Sequence, residues 1–139
     1  MTRVVLDTNV LVAALRSRNG ASFKLLSMVG SGAFETVVSV PLVIEYEYAA
    51  VKTAKKIGLD LPAIGTVLDY LCKVSVHQDI YFLWRPMLKD PGDDMVLEVA
   101  VASSSAGIVT YNKKDFDKAD SFGLSIWTPK EFLLNEGLL

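Results

Sequence analysis

Apolar positions along this chain fall into two rhythms that take turns. Short runs rich in β-branched residues predict strands at Val4–Leu6, Phe34–Val40, Lys73–His77, Gly107–Thr110 and Ser125–Thr128. Val4-Val5-Leu6 is continuous rather than alternating, as expected for a parallel strand covered on both faces. Between these runs, helical spacing predicts helices over Val10–Leu15, Ala21–Val29, Leu42–Val51, Leu61–Leu71, Met95–Ser103 and Pro129–Leu134. Thr8 or Asn9 is available to cap the first helix, and Ser39 with Pro41 introduces the third. Phe23, Leu26 and Val29 share one face of the second helix, while Leu42, Glu45 and Ala49 lie along one side of the third. A basic stretch, Lys52–Lys56, follows that third helix, and Gly58 marks a stop. Lys89–Asp94 reads as a turn, and the aromatic stretch Tyr81–Leu88 has no assignable period.

Alternation of strand and helix from end to end predicts an α/β fold, a three-layer α/β/α sandwich with a mainly parallel central sheet. The 139 residues carry no internal repeat, low-complexity tract or linker, so residues 1–139 are expected to form a single domain. No apolar run approaches the ~18–20 residues that cross a membrane, and no leader pattern opens the chain. A cytoplasmic protein without a membrane partner is therefore the expectation.

Composition narrows the chemistry. Cys72 and His77 are the lone cysteine and histidine, which excludes an intrachain disulfide, cysteine-based zinc sites and multi-histidine metal sites. No Gly-x-Ser-x-Gly elbow supports a serine triad, and His77, within a strand-like run, reads as structural. The net charge of −2 argues against a surface coated with positive charge for non-specific nucleic-acid binding. Catalysis, if present, must rest on carboxylates, hydroxyls, amides and a metal that they hold.

Four acids stand in awkward places for surface charges. Asp7 ends a buried strand, Glu45 lies among Leu42, Val43 and Ile44, Asp94 starts a helix with Glu98 one turn on, and Asp115 follows the strand ending at Thr110. In a doubly wound sheet the loops after parallel strands open on one edge, so Asp7 and the Asn112–Asp115 loop can meet there. Carboxylates crowded together raise one another's pKa unless a cation compensates, and all-oxygen ligand sets suit Mg²⁺ or Mn²⁺. Each acid also has an ordinary role open to it: helix capping for Asp7, first-turn placement for Asp93 and Asp94, a solvated helix face for Glu45 and Glu98, and a turn for Asp115.

Taken in order, Val4-Val5-Leu6-Asp7-Thr8-Asn9-Val10-Leu11, Ser39 to Glu45, Asp90-Pro91-Gly92-Asp93-Asp94-Met95-Val96-Leu97-Glu98, and Ile108-Val109-Thr110 with Asn112 and Asp115 resemble the PIN-domain family. The likeness is to the VapC-like toxin ribonucleases of prokaryotic toxin–antitoxin systems, and it runs nearly end to end. It implies Asp7, Glu45 and Asp94 as metal-binding acids and Asp115 as a fourth, more variable catalytic one. Thr8, Asn9 and Thr110 would border the site, with Asp93 and Glu98 as secondary candidates. Many relatives have aspartate where Asn112 stands, so the fourth ligand lies between Asn112 and Asp115. The implied activity is Mg²⁺- or Mn²⁺-dependent hydrolysis of RNA, with a homodimer and a small antitoxin protein as partners. Arg16, Arg18, Lys52, Lys55, Lys56, Lys113 and Lys114 are candidates to contact phosphate, and Tyr81–Leu88 is a candidate for an interface or for core.

Two other doubly wound families fit less well. A haloacid-dehalogenase-type phosphatase needs aspartate where Asn9 stands, and a phospho-receiver domain has its acidic pair first and its lone aspartate later. The remaining alternative is a PIN-like module that binds RNA or protein without cutting.

Overall fold

β1 (Arg3–Leu6), β2 (Glu35–Val38), β3 (Val76–His77), β4 (Gly107–Val109) and β5 (Ser125–Trp127) pair in parallel in the order β3-β2-β1-β4-β5. The structure is a computed structural model that describes residues 1–80 and 91–139, so Tyr81–Leu88, Lys89 and Asp90 lie outside the described residues. Connecting the strands are α1 (Thr8–Arg16), α2 (Ala21–Ser27), α3 (Val40–Ile57), α4 (Leu61–Val74) and α5 (Pro91–Ala102), with α6 (Pro129–Asn135) after β5. This is the parallel α/β sandwich that the alternation predicts.

Strand order runs outward from β1 to β3 and then returns to β4 on the other side of β1. The reversal between β1 and β4 makes their loops diverge, leaving a crevice at the carboxyl edge of the sheet. Right-handed crossovers put α1–α4 on one face and α5 on the other. Val4, Val5 and Leu6 are at most 2 % exposed, as a strand covered on both faces requires. Gly107 sets the spacing of β4 and β5. A Cβ there would lie 2.1 Å from the Ser125 carbonyl oxygen and 2.7 Å from the Trp127 ring, so no larger residue fits without moving backbone.

Several element boundaries differ from the sequence expectation for identifiable reasons. Asp7, rather than Thr8 or Asn9, caps α1. Ser39 leaves the strand to cap α3 through its hydroxyl, which accepts from the Leu42 N–H, so β2 ends at Val38. α3 does not stop at Val51. Its buried positions Leu42, Tyr46, Ala50, Thr53 and Ala54 keep helical spacing to Gly58, a left-handed cap with φ +78°. Lys52, Lys55 and Lys56 therefore lie on the solvent side of one long helix. α4 likewise runs to Val74 and shortens β3 to Val76–His77, where the exposed His77 bonds the Cys72 carbonyl.

Two differences concern which face is buried. α2 ends at Ser27 and buries Ser22 and Leu25, while Phe23 is 38 % exposed. The polar Ser22 takes a core position because its hydroxyl is bonded to the Tyr111 phenol. On α3 the inward stripe passes through Tyr46, leaving Glu45 and Ala49 half-buried beside it. α5 begins at Pro91, so the expected turn before Asp94 is already helix, and proline is compatible with that first turn.

Candidate active site

Asp7 leaves β1 where the strand order reverses. Its backbone N–H donates to the Val109 carbonyl at 2.9 Å, extending the sheet by one step, and the residue is 7 % exposed. One carboxylate oxygen, Oδ1, accepts from the Thr8 N–H at 2.8 Å. The other, Oδ2, accepts from the Thr110 hydroxyl at 2.8 Å. Capping and site formation are thus two uses of one side chain, each oxygen serving a different element.

Thr110 is fully buried at the end of β4. Its Oγ1 accepts from the Asn112 N–H at 3.0 Å and from Asn9 Nδ2 at 3.3 Å, while Asn9 Oδ1 accepts from the Tyr111 N–H at 3.3 Å. These bonds lock the start of α1 to the loop after β4. A carboxylate held by two fixed donors keeps one rotamer.

α3 reaches the same strand end through Tyr46, whose hydroxyl donates to the Leu6 carbonyl one residue before Asp7. Burial, and to a lesser degree the Asp7 charge, pushes the phenol far above its usual pKa, so it remains a protonated donor. Sequence reasoning missed this residue. The signal available was a tyrosine at the apolar spacing Leu42-Tyr46-Ala50, whose polar tip needs a partner once buried. Neighbouring Glu45 is half-buried, about 8 Å along α3 from its start at ~1.5 Å per residue. Because α3 follows β2, this first third of the helix lies toward the carboxyl edge.

α5 runs antiparallel to the strands and packs on β1, β2, β4 and α3, which brings its first turn to that edge too. Asp93 is half-buried there, and Asp94 is 2 % exposed. Glu98, one turn along, is 3 % exposed, so it is no solvated surface charge. The positive end of the helix favours acids in that first turn.

The loop after β4 forms a 3₁₀ turn, Lys113–Phe116, pinned by buried Phe116. Asn112 and Asp115 are both exposed on it. Lys113 is held 3.0 Å from Glu131, whereas Lys114 is exposed and makes no ion pair among the described residues. Arg16 and Arg18 are exposed at the end of α1 and in the turn after it, and Thr8 is half-buried. The structure therefore joins Asp7, Asn9, Thr110 and Asn112 in one network. Among the described residues, no three His, Cys, Asp or Glu side chains stand close enough to hold a metal ion.

Comparison with known proteins adds two findings. The family model described as PIN domain matches residues 3–114. A chain of the crystal structure of VapBC2 from Rickettsia felis, bound to a DNA fragment from their promoter, superimposes with a TM-score of 0.62. That match covers 91 % of this chain and 99 % of the other at 18 % identity, and it establishes a shared fold. No curated protein matches the chain.

Proposed function

The chain belongs to the PIN-domain family, and on that premise we propose that it is a Mg²⁺- or Mn²⁺-dependent endoribonuclease, the toxin of a toxin–antitoxin pair. Members of this family are generally nucleases. The observation that carries the reading is the buried Asp7–Thr110 bond at the reversal of strand order, with Asp94 and Glu98 buried in the helix that packs on the same strands. Burying several acids near one sheet edge costs stability, and functional sites are where such costs are tolerated.

The donor set fits a hard divalent cation in its chemistry: it consists of oxygen donors, and three of the candidate acids, Asp7, Asp94 and Glu98, are buried. Asp7, Glu45 and Asp94 would hold it, with Glu98 and either Asn112 or Asp115 as further candidates. When bound, such an ion activates water and neutralises charge on a phosphodiester. The chain's own residues prepare the site. Thr8 and Thr110 fix both oxygens of Asp7, Tyr46 anchors the strand end before it, and Asn9 holds the loop after β4 in place. No histidine base is needed. Lys114, Arg16 and Arg18 are exposed cations available to phosphate.

Two partners belong to this reading. A small antitoxin protein would neutralise the enzyme, in keeping with the VapBC2 structure, one chain of which shares its fold. A second copy would cover Val40, Ile44 and Tyr48 of α3, which are 72 %, 62 % and 67 % exposed at successive helical turns. Among the described residues no helix is long and apolar enough to cross a membrane, and we place the protein in the cytoplasm.

The deciding experiment is cleavage of RNA with and without Mg²⁺ or Mn²⁺ by wild type, Asp7→Asn and Asp94→Asn, alongside calorimetric titration of each metal. Metal-dependent cleavage by wild type alone supports the nuclease. Exposed Asn112 in the position of an acid favours a second reading, a PIN-like module that binds without cutting. RNA binding by all three proteins with no cleavage by any would establish that one.

A further inference from the structure

Tyr111 lies between Thr110, which holds Asp7, and Asn112, which donates to Thr110. Both ends of this residue are fixed. Its backbone N–H donates to Asn9, and its phenol is bonded to Ser22, a residue only 1 % exposed at the start of α2. A tyrosine anchored at backbone and tip would ordinarily be packed away, yet this one is 46 % exposed. Its ring is thus held at both ends beside the site, in a residue nearly half exposed. Exposed Lys114 follows three residues later in the sequence, and exposed Arg18 precedes Ser22 by four.

We propose that Tyr111 is a nucleobase platform, on which an unpaired base of a single-stranded RNA stacks while its backbone passes the Asp7 edge. The proposal rests on the nuclease reading and names the form of its substrate. Aromatic side chains take bases that are splayed out of a helix, whereas a paired base offers no free face. Preorganisation by Ser22 and Asn9 spares the cost of ordering the ring at the moment of binding. The phenol already has a partner in Ser22, so recognition would fall to the face of the ring, which tolerates any base.

Fluorescence anisotropy in EDTA, where a metal-dependent enzyme cannot cut, provides the test. The probes are a labelled single-stranded hexamer of adenosine and an abasic hexamer of the same length. Tyr111→Ala is expected to weaken the adenosine hexamer about 10-fold, Tyr111→Phe less than about 2-fold, and neither to change binding of the abasic hexamer. With metal present, Tyr111→Ala should raise KM for single-stranded RNA and leave kcat within about 2-fold. Equal losses in Phe and Ala would trace the effect to the Ser22 bond and overturn the proposal, as would equal losses with the abasic probe. Wild-type cleavage with unchanged binding in Tyr111→Ala would overturn the platform alone. Failure of wild type to bind or cut any RNA would overturn the platform and the nuclease together.

Discussion

The two ends of β1 solve the same problem with opposite chemistry. At the amino end, Arg3 reaches Glu35 on β2 at 2.6 Å and the Ser103 carbonyl after α5 at 2.9 Å, so one cation staples three elements. At the carboxyl end, Asp7 is tied to Thr8 and Thr110, with Asp94 and Glu98 buried in the neighbouring helix. Opposite charges meet at one end, and buried acids lie on neighbouring elements at the other. The first arrangement is what a fold needs to close its sheet. The second works against stability, a cost that the proposed metal site would account for.

The largest expected effect separates the two ends outright. Asp7→Asn should lower metal-dependent RNA cleavage at least ~100-fold while circular dichroism still shows a folded protein, because asparagine caps helices as well as aspartate does and the lost Thr110 bond costs about 1–3 kcal/mol. An unfolded Asp7→Asn would instead assign the residue to the architecture. Arg3→Met should do the reverse, leaving cleavage intact and costing about 1 kcal/mol in urea unfolding, since its pair is partly exposed. Tyr46→Phe should cost more than Arg3→Met, about 1–3 kcal/mol, because it strips a buried donor from the Leu6 carbonyl. It should also lower cleavage if the strand end it anchors positions Asp7.

The smallest effect lies away from both ends and calibrates them. Glu131 caps α6 by accepting from the Thr128 N–H and pairs with Lys113, and these bonds hold its carboxyl below the ordinary value of 4.5. A depressed folded pKa contributes stability that is present above the ordinary value and lost as pH falls through the lowered one. Wild type and Glu131→Gln should therefore differ by a few tenths of a kcal/mol near pH 7 and converge in acid, as melting curves from pH 7 to pH 3 would reveal. A difference that persists in acid would mean that ionisation of Glu131 contributes nothing.

How far could the sequence be read? Element types were legible nearly throughout, because the rhythms of Val4–Leu6 and of the helices are local. Boundaries failed where a side chain had a distant use. Ser22 entered the core to meet Tyr111, and Lys52–Lys56 stayed helical because Thr53 and Ala54 beneath them are buried. The candidate acids were legible as oddities of position. Tyr46 was not, because only a packed structure reveals that the Leu6 carbonyl lies beside its hydroxyl.

What the sequence determined by itself is the alternation, the lone cysteine and histidine that leave no intrachain disulfide or multi-histidine site, and Asp7 at the end of a buried strand. Local spacing fixes those features without reference to distant residues. The tertiary structure decided that Asp7 meets Thr110 across 103 positions, that Glu98 is buried and Asp115 exposed, and that Tyr111 is anchored yet half exposed. Such outcomes depend on strand order. A parallel sheet that reverses direction between β1 and β4 joins residues a hundred positions apart, and no periodicity along the chain encodes that meeting.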